Sequence, residues 1–567
     1  MLGTARYRCG MYLRTTTRRA ADGSTVRYLQ LAHNVWDPVT KRSNVRVLHH
    51  LGREDQLDPD AIRRLIRSLS RVLEPGEALV LAAPELRLVE SRPYGGAWLL
   101  DGLWARLGLP VMMAKALRGR RRDPAVERVL FALVANRALE PMSKLSCAAW
   151  VSEHVSMPGL TELDEDRAYR AMDWLLEVEA EVTEQVFWSV ATLLDLEVDL
   201  LFFDTTSTYF ETDEADPPSD GAARGFRTYG HSKDHRADLP QVVIGLAVTR
   251  TGIPIRVWTW PGNANDQALI RQVKEDLRAW RLGRVVWVAD RGFDSAQNRR
   301  YLQRGGDHYI LGEKLRSESA EAKAALARQG RYRAVAGDLE VKEVVIDEGT
   351  MRDRFVICRN PQEAERDAAV RASLLEQLTL LIDGSDDRSP AERDAVACKV
   401  RAKPGLARFL RVTKAGLLRV DRAAVAAEAH LDGKSLLRTS DPTLSADDVA
   451  LGYKQLVEVE RAWRDMKTTL DLRPVFHRKE ERIRSHVVLC WLALLLIRVA
   501  ETGTGETWRN VRREMEKLHL VRLEGSAGEV LQRTETTPRQ ASLLKALSLP
   551  EPPRVLGLTP SLVAQTA

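Results

Sequence analysis

Two short apolar runs that each close on an aspartate, residues 198–204 (VDLLFFD) and 284–290 (RVVWVAD), constrain the fold of this chain most. Rich in branched and aromatic residues and only seven residues long, they suit strands buried on both faces. Residues 241–249 and 253–260 add two strand-like runs joined at Thr251-Gly252, residues 267–282 and 295–304 carry helical spacing, and 308–311 supplies a last strand. The resulting order is β-β-β-α-β-α-β.

That order is the one of a ribonuclease-H-like fold, in which an acid-bearing helix follows the last strand. Here the helix is delayed. Residues 314–445 intervene, with a charged helix at 317–328, strand-like runs at 332–335, 339–346 and 354–358, then a helix, then strands near 417–420, and are expected to form a mostly β insertion. One helix over 445–470 then brings the awaited acid, and residues 483–499 form an apolar packing helix behind it. The expected class is therefore α/β, a ribonuclease-H-like catalytic domain in two parts, 198–313 and 446–503. Ahead of it stand a small basic α+β lobe at 1–75, with strands at 26–31 and 43–51 and a helix at 59–73, and a helical, DNA-binding domain at 97–197. Behind it, 504–567 form a C-terminal segment assigned to dimerisation, with the last dozen residues loosely ordered.

A chain of 567 residues, 44% hydrophobic and 29% charged, exceeds what one core usually serves. Its longest apolar run, 487–497, is too short to span a bilayer, and the arginines of the first nine residues precede no signal-like stretch. No membrane partner and a cytoplasmic, nucleoid-associated location are expected. Five scattered cysteines without a C-x2-C pair argue against a disulfide framework and a thiolate zinc site. The net charge is +6, yet residues 1–72 hold fourteen Arg/Lys against six Asp/Glu. That front-loaded charge is what a separate polyanion-binding module shows. A second cluster, Arg118 and Arg120 to Arg122, precedes Asp123-Pro124, a helix start.

Asp204 and Asp290 close the first and fourth strands, which are neighbours in this fold, so their carboxylates project from one edge. Glu460, on the later helix, is placed to complete the set. At about 100° per residue, steps of seven put Tyr453, Glu460 and Lys467 on one face of a continuous helix. Three carboxylates in this placement suit two Mg2+ ions, with Mn2+ as substitute, and the in-line displacement at phosphorus that such ions support. A strand-end aspartate is often only a turn former; joint placement selects these three over Glu211, Asp266, Asp294 and Asp465. The polar loop His231, Lys233, His235 and Arg236 faces the same edge and suits DNA-backbone contact, as does Arg291. His477 and His486 lack zinc spacing and fit helix-end capping or phosphate contact better.

The segments Asp204-Thr205-Thr206-Ser207, Ala289-Asp290-Arg291-Gly292-Phe293 and Tyr453 through Glu460, Trp463 and Lys467 resemble the DDE transposases of bacterial insertion sequences, in particular the cut-and-paste group with the Tyr-Arg-Glu-Lys signature, the insertion sequence four superfamily. Gly230-His231-Ser232-Lys233, Gly262-Asn263-x2-Asp266, Asn136-x6-Ser143-Lys144-Leu145, Arg473-Pro474-x2-His477 and Glu481-Arg482-Ile483-x2-His486 belong to the same resemblance. It implies that Asp204, Asp290 and Glu460 are the catalytic metal ligands and that Tyr453 and Lys467 hold phosphates near the transposon end. The signature arginine position holds Leu456, with Lys454 and Arg461 as the neighbouring cations to replace it.

The resemblance further implies metal-dependent cleavage at terminal inverted repeats, a hairpin intermediate, strand transfer into target DNA, and a homodimer in the synaptic complex. Two other functions compete on the same scaffold, a DNA-binding repressor or domesticated protein and a structure-specific nuclease. The first is expected to lose an acid, and all three are present. The second leaves the basic lobe, helical domain and insertion without a purpose.

Overall fold

The computed structural model describes residues 10–19, 25–70, 86–118, 123–193, 200–218, 224–278, 280, 285–316, 319–348, 351–525 and 528–560. The chain divides into two units. The smaller comprises residues 1–92, 518–536 and 552–567. Its strands β1 (Met11–Arg19), β2 (Thr25–Asp37) and β3 (Arg42–Arg53) form an antiparallel meander, followed by the helix Pro59–Ser70. A second sheet runs β18-β17-β16-β4, from β4 (Arg87–Pro93), β16 (His519–Gly525), β17 (Gly528–Arg533) and β18 (Val555–Pro560). Residues expected to be loosely ordered therefore supply a paired strand, Val530 lying opposite Leu558. The arginine cluster at 120–122 lies outside the described residues.

The larger unit, residues 93–517 and 537–551, is built on a nine-stranded sheet. Five of its strands are those expected: β5 (Leu200–Tyr209), β6 (Gln241–Thr249), β7 (Pro254–Pro261), β8 (Val286–Ala289) and β9 (His308–Glu313). They lie in the order β7-β6-β5-β8-β9, with β5 antiparallel to β6 and parallel to β8, and β8 parallel to β9. The apolar runs explain this position. Every residue of β6 and β8 is buried, and Phe203, Trp258, Trp287 and Tyr309 join one core under the helix Asp266–Arg278.

The segment 314–445 departs from expectation. Strands β10 (Arg333–Ala336), β11 (Leu339–Glu348), β12 (Met351–Arg359) and β15 (Lys434–Thr439) are present, but they extend the same sheet, β15 pairing with β9. The longest element of the segment is a 22-residue helix, Pro361–Ile382, so the insertion is mixed and not mostly β. Asn360 caps that helix by accepting from Gln362 and Glu363, Pro361 takes the first position, and the following alanines, glutamates and leucines favour helix. A small hairpin, β13 (Leu410–Val412) with β14 (Leu418–Val420), packs near it.

Three helices matter for the sites described below. Glu480–Thr504 is long and apolar enough to cross a membrane, yet 94% of its apolar window is buried, and it serves as a core helix against Val126–Leu139 and Glu165–Glu177. The expected single helix over 445–470 is two helices, Ala446–Lys454 and Val457–Thr468. Leu456 N–H donates to Tyr453, Glu458 to Gln455 and Val459 to Leu456, so the ladder tightens to three-residue steps at the junction and then restarts.

Candidate functional site

Phe203 pairs with Ala289 across the parallel β5 and β8, which brings the next residues, Asp204 and Asp290, level on adjacent strands. Asp204 is the fifth residue of a ten-residue strand rather than its end, and Asp290 follows the last residue of β8. A further carboxylate lies beside Asp204. Asp266, at the start of its helix, accepts from the Thr205 hydroxyl at 2.7 Å. The Lys233 ammonium lies 3.3 Å from Asp266 and 3.7 Å from Asp204, and donates to the Thr205 carbonyl and hydroxyl at 2.6 Å each.

Burial pushes the Asp204 carboxyl up to about 6; Lys233 opposes this, while Asp266 and Asp290 add to it. One ammonium thus falls short of balancing three acids, and oxygen donors in such a deficit suit a hard divalent ion. Asp266 was passed over in the sequence because it lies on neither strand. Its signal was Gly262-Asn263-x2-Asp266. A Cβ on Gly230 would come 1.9 Å from the Gly262 carbonyl oxygen, so the Gly230 and Gly262 loops press together and hold Lys233 and Asp266 over the edge.

The helix junction puts Tyr453 on one helix and leaves Glu460 and Lys467, seven residues apart, on the next. The Tyr453 hydroxyl donates to Asp290 at 2.9 Å, and burial followed by that aspartate raises its pKa. A Cβ at Gly312 would meet this hydroxyl at 2.3 Å, so only glycine fits beneath it. Glu460 is exposed on Val457–Thr468, whose buried face is Val459, Ala462, Trp463 and Met466. Among the described residues, no group of three or more Asp, Glu, His or Cys is gathered as a metal-ligand set. Lys467 is paired with Asp234 at 2.8 Å, and burial holds its pKa below the usual lysine range. Arg473 reaches the same aspartate at 3.0 Å.

Of the remaining cations, Arg461 faces Glu501 at 3.6 Å and Glu458 at 4.0 Å. Arg236 pairs with Asp238 at 2.8 Å and lies over the Tyr209 ring. Lys454 and Arg291 are exposed. Arg291 borders a groove of about 410 Å³ that runs from Asp290 past Tyr453 to Lys314, Arg316 and Lys434. Arg316 is held there by Glu428. A phosphate backbone entering this groove meets cations on its way to the acids.

Residues 201–496 match the family model described as "Transposase DDE domain", and residues 13–78 match "IS1634 family transposase, N-terminal domain". No curated protein matches the chain. Among solved structures, "Cryo-EM structure of piggyBac transposase synaptic complex with hairpin DNA (SNHP)" aligns with 76% of this chain and 82% of that one, at 12% identity and a TM-score of 0.34. That likeness is too loose to carry any residue across.

Proposed function

The chain belongs to the DDE transposases of insertion sequences, and from that premise we propose that it cuts and rejoins DNA at the ends of its own element, using the edge that carries Asp204 and Asp290. The observation that carries this reading is the register placing the two aspartates level on adjacent parallel strands. The strand order β7-β6-β5-β8-β9 supports a ribonuclease-H-like core, and the Tyr453, Glu460 and Lys467 spacing supports the Tyr-Arg-Glu-Lys group, with Leu456 as its exception.

Asp204, Asp290 and Glu460 are the residues that would hold the divalent ion, which supplies Lewis-acid stabilisation of the attacking and leaving oxygens when bound. Tyr453 orients Asp290 through its hydroxyl, and Lys233 offsets part of the charge of Asp204 and Asp266. The groove cations Arg291 and Lys314 receive the phosphate backbone beside Asp290. Terminal inverted repeats and target DNA are the partners, and a homodimer is the synaptic form.

The test is strand cleavage on DNA carrying this gene with its native flanks, with every new 3′ end mapped for the wild type and Asp290→Asn. Paired metal-dependent breaks at two inverted sequences, absent in the variant, are expected. Binding without breaks would leave a repressor, and breaks that follow branched structure rather than sequence would leave a nuclease. Hairpin ends on the released fragment are expected from the cut-and-paste route, and open ends would exclude it.

A further inference from the structure

Three segments singled out in the sequence take no part in the acid edge: Asn136-x6-Ser143-Lys144, Arg473-Pro474-x2-His477 and the stretch ending at His486. The fold brings them together. Arg137, Lys144, Tyr169, His477 and His486 line one cavity of about 160 Å³, which exposed Ser143 and Phe476 also border.

The charges in this cavity are buried and unopposed. Arg137 and Lys144 are 3% and 5% exposed. Arg137 reaches only the Leu470 and Asp471 carbonyls and the Asn136 side chain, each at 3.4 Å, and its Nε has no partner. The Lys144 ammonium has no ion pair among the described residues. His486 is 4% exposed; its Nε2 meets the Leu472 carbonyl at 3.2 Å and its Nδ1 meets nothing. Asp471 is an exposed residue of the lining that meets Arg137 through its backbone.

Comparison within the chain shows how unusual this is. The other buried lysines are satisfied: Lys274 pairs with Asp307 at 2.8 Å, and Lys342 donates to the Arg328 carbonyl at 2.6 Å. Arg482, beside the cavity over the Tyr169 ring, faces Asp173 at 3.5 Å. Around Lys144 the electrostatics run the other way. Burial and then Arg137 hold its pKa down to about 8, and His477 is held down to about 4 by burial and then by Lys144, Arg482 and Arg137. A buried cation without an opposite charge costs several kcal/mol, so a chain that keeps two of them at one small cavity is suited to receive the opposite charge from outside.

We propose that the Arg137–Lys144 cavity is a phosphate-binding site, separate from the acid edge, that seats one backbone phosphate of the bound DNA. Its size admits a phosphate group and not a whole nucleotide. A phosphate oxygen gives Arg137 Nε and the Lys144 ammonium the acceptor they lack. The affinity for phosphate stands on the cavity alone, whereas DNA as its source rests on the transposase reading.

The experiment is thermal unfolding of the full-length protein in metal-free buffer, with sodium phosphate against sodium chloride at equal ionic strength, for the wild type, Lys144→Met and His477→Gln. Phosphate is expected to raise the wild-type Tm by about 2 °C and to leave Lys144→Met unmoved, while Lys144→Met in chloride melts above the wild type because it no longer buries an unpaired charge. His477→Gln, at a less buried position, is expected to reduce the phosphate shift without lowering Tm in chloride. An equal phosphate effect in the wild type and Lys144→Met, no effect in either, or a Lys144→Met that melts lower in chloride would overturn the site. DNA is the second arm. A salt dependence of duplex binding that is shallower by about one unit in Lys144→Met assigns the phosphate to the backbone; an unchanged slope alongside an intact inorganic-phosphate effect assigns the site to a free anion and removes DNA from the proposal.

Discussion

The acid edge and the Arg137–Lys144 cavity are charge deficits of opposite sign in one unit of the molecule. At the edge Asp204 and Asp266 share one lysine beside Asp290, and Asp204 remains pushed up to about 6. In the cavity an arginine and a lysine share no carboxylate, and Lys144 is held down to about 8. Arg498, by contrast, is balanced locally by Asp465 and Glu501, both at 2.6 Å. The difference teaches that charge left unbalanced at a cleft differs from charge paired within the core. The edge has the deficit that a cation would fill, and the cavity has the one that an anion would fill.

The largest effect that can break this comparison is loss of an edge acid. Asp204→Asn and Asp290→Asn are each expected to lower cleavage by about three orders of magnitude or more, the scale on which preorganised charge stabilisation acts. Metal-free Asp204→Asn should melt above the wild type, since it removes a buried charge. A cleavage-dead Asp204→Asn that melts lower instead would show that the edge is balanced as it stands. Glu460→Gln is expected to abolish cleavage while DNA binding survives; retained cleavage removes Glu460 from the ligand set and leaves Asp266 as the third acid to test.

A smaller effect sharpens the comparison by sign. The same substitution, lysine to methionine, should act oppositely in the two regions. Lys233→Met leaves Asp204 and Asp266 without their shared cation and the Thr205 groups without their donor, and should destabilise the metal-free protein by about 1–3 kcal/mol. Lys144→Met should stabilise it. Paired denaturant titrations decide the matter, and two destabilisations would mean that Lys144 has a structural partner.

The site was legible in the sequence where chemistry follows a strand pattern and obscure where it depends on a loop or a helix junction. Asp204 and Asp290 come level because apolar runs fix strand position, and neighbouring strands then fix their proximity. Asp266 was discarded because it opens a helix, and what places it is the contact between the Gly230 and Gly262 loops, which no periodicity reports. The shared face of Tyr453, Glu460 and Lys467 assumed a continuous helix. No glycine or proline marks the break at Gln455–Leu456, and it shows only in the three-residue hydrogen bonds. In 314–445 the helix after residue 358 is legible from its Asn-Pro start, and it is its 22-residue length that makes the segment mixed and not mostly β.

The finest test lies in pH, where the two deficits should leave slopes in separate windows. Lys144 has a folded pKa of about 8, below its ordinary 10.5, so between these values the folded chain binds fewer protons than the unfolded one. Stability contributed at this position therefore rises with pH across that window and is flat below it. His477 and His486 are held below the neutral range and stay uncharged. Burial pushes Cys147 up to about 11 and raises Cys490, so these thiols add a slope of opposite sign in the alkaline part of the window; they are present in both proteins, and the difference between variant and wild type is therefore the quantity to read. The stability difference between Lys144→Met and wild type should accordingly be greatest below pH 8 and shrink towards pH 10. Saturating phosphate, by restoring the missing charge, should raise the Lys144 pKa and move the start of that change upward. A difference that is constant across the window would mean that Lys144 is as well solvated folded as unfolded, and the cavity would then lose its likeness to the edge.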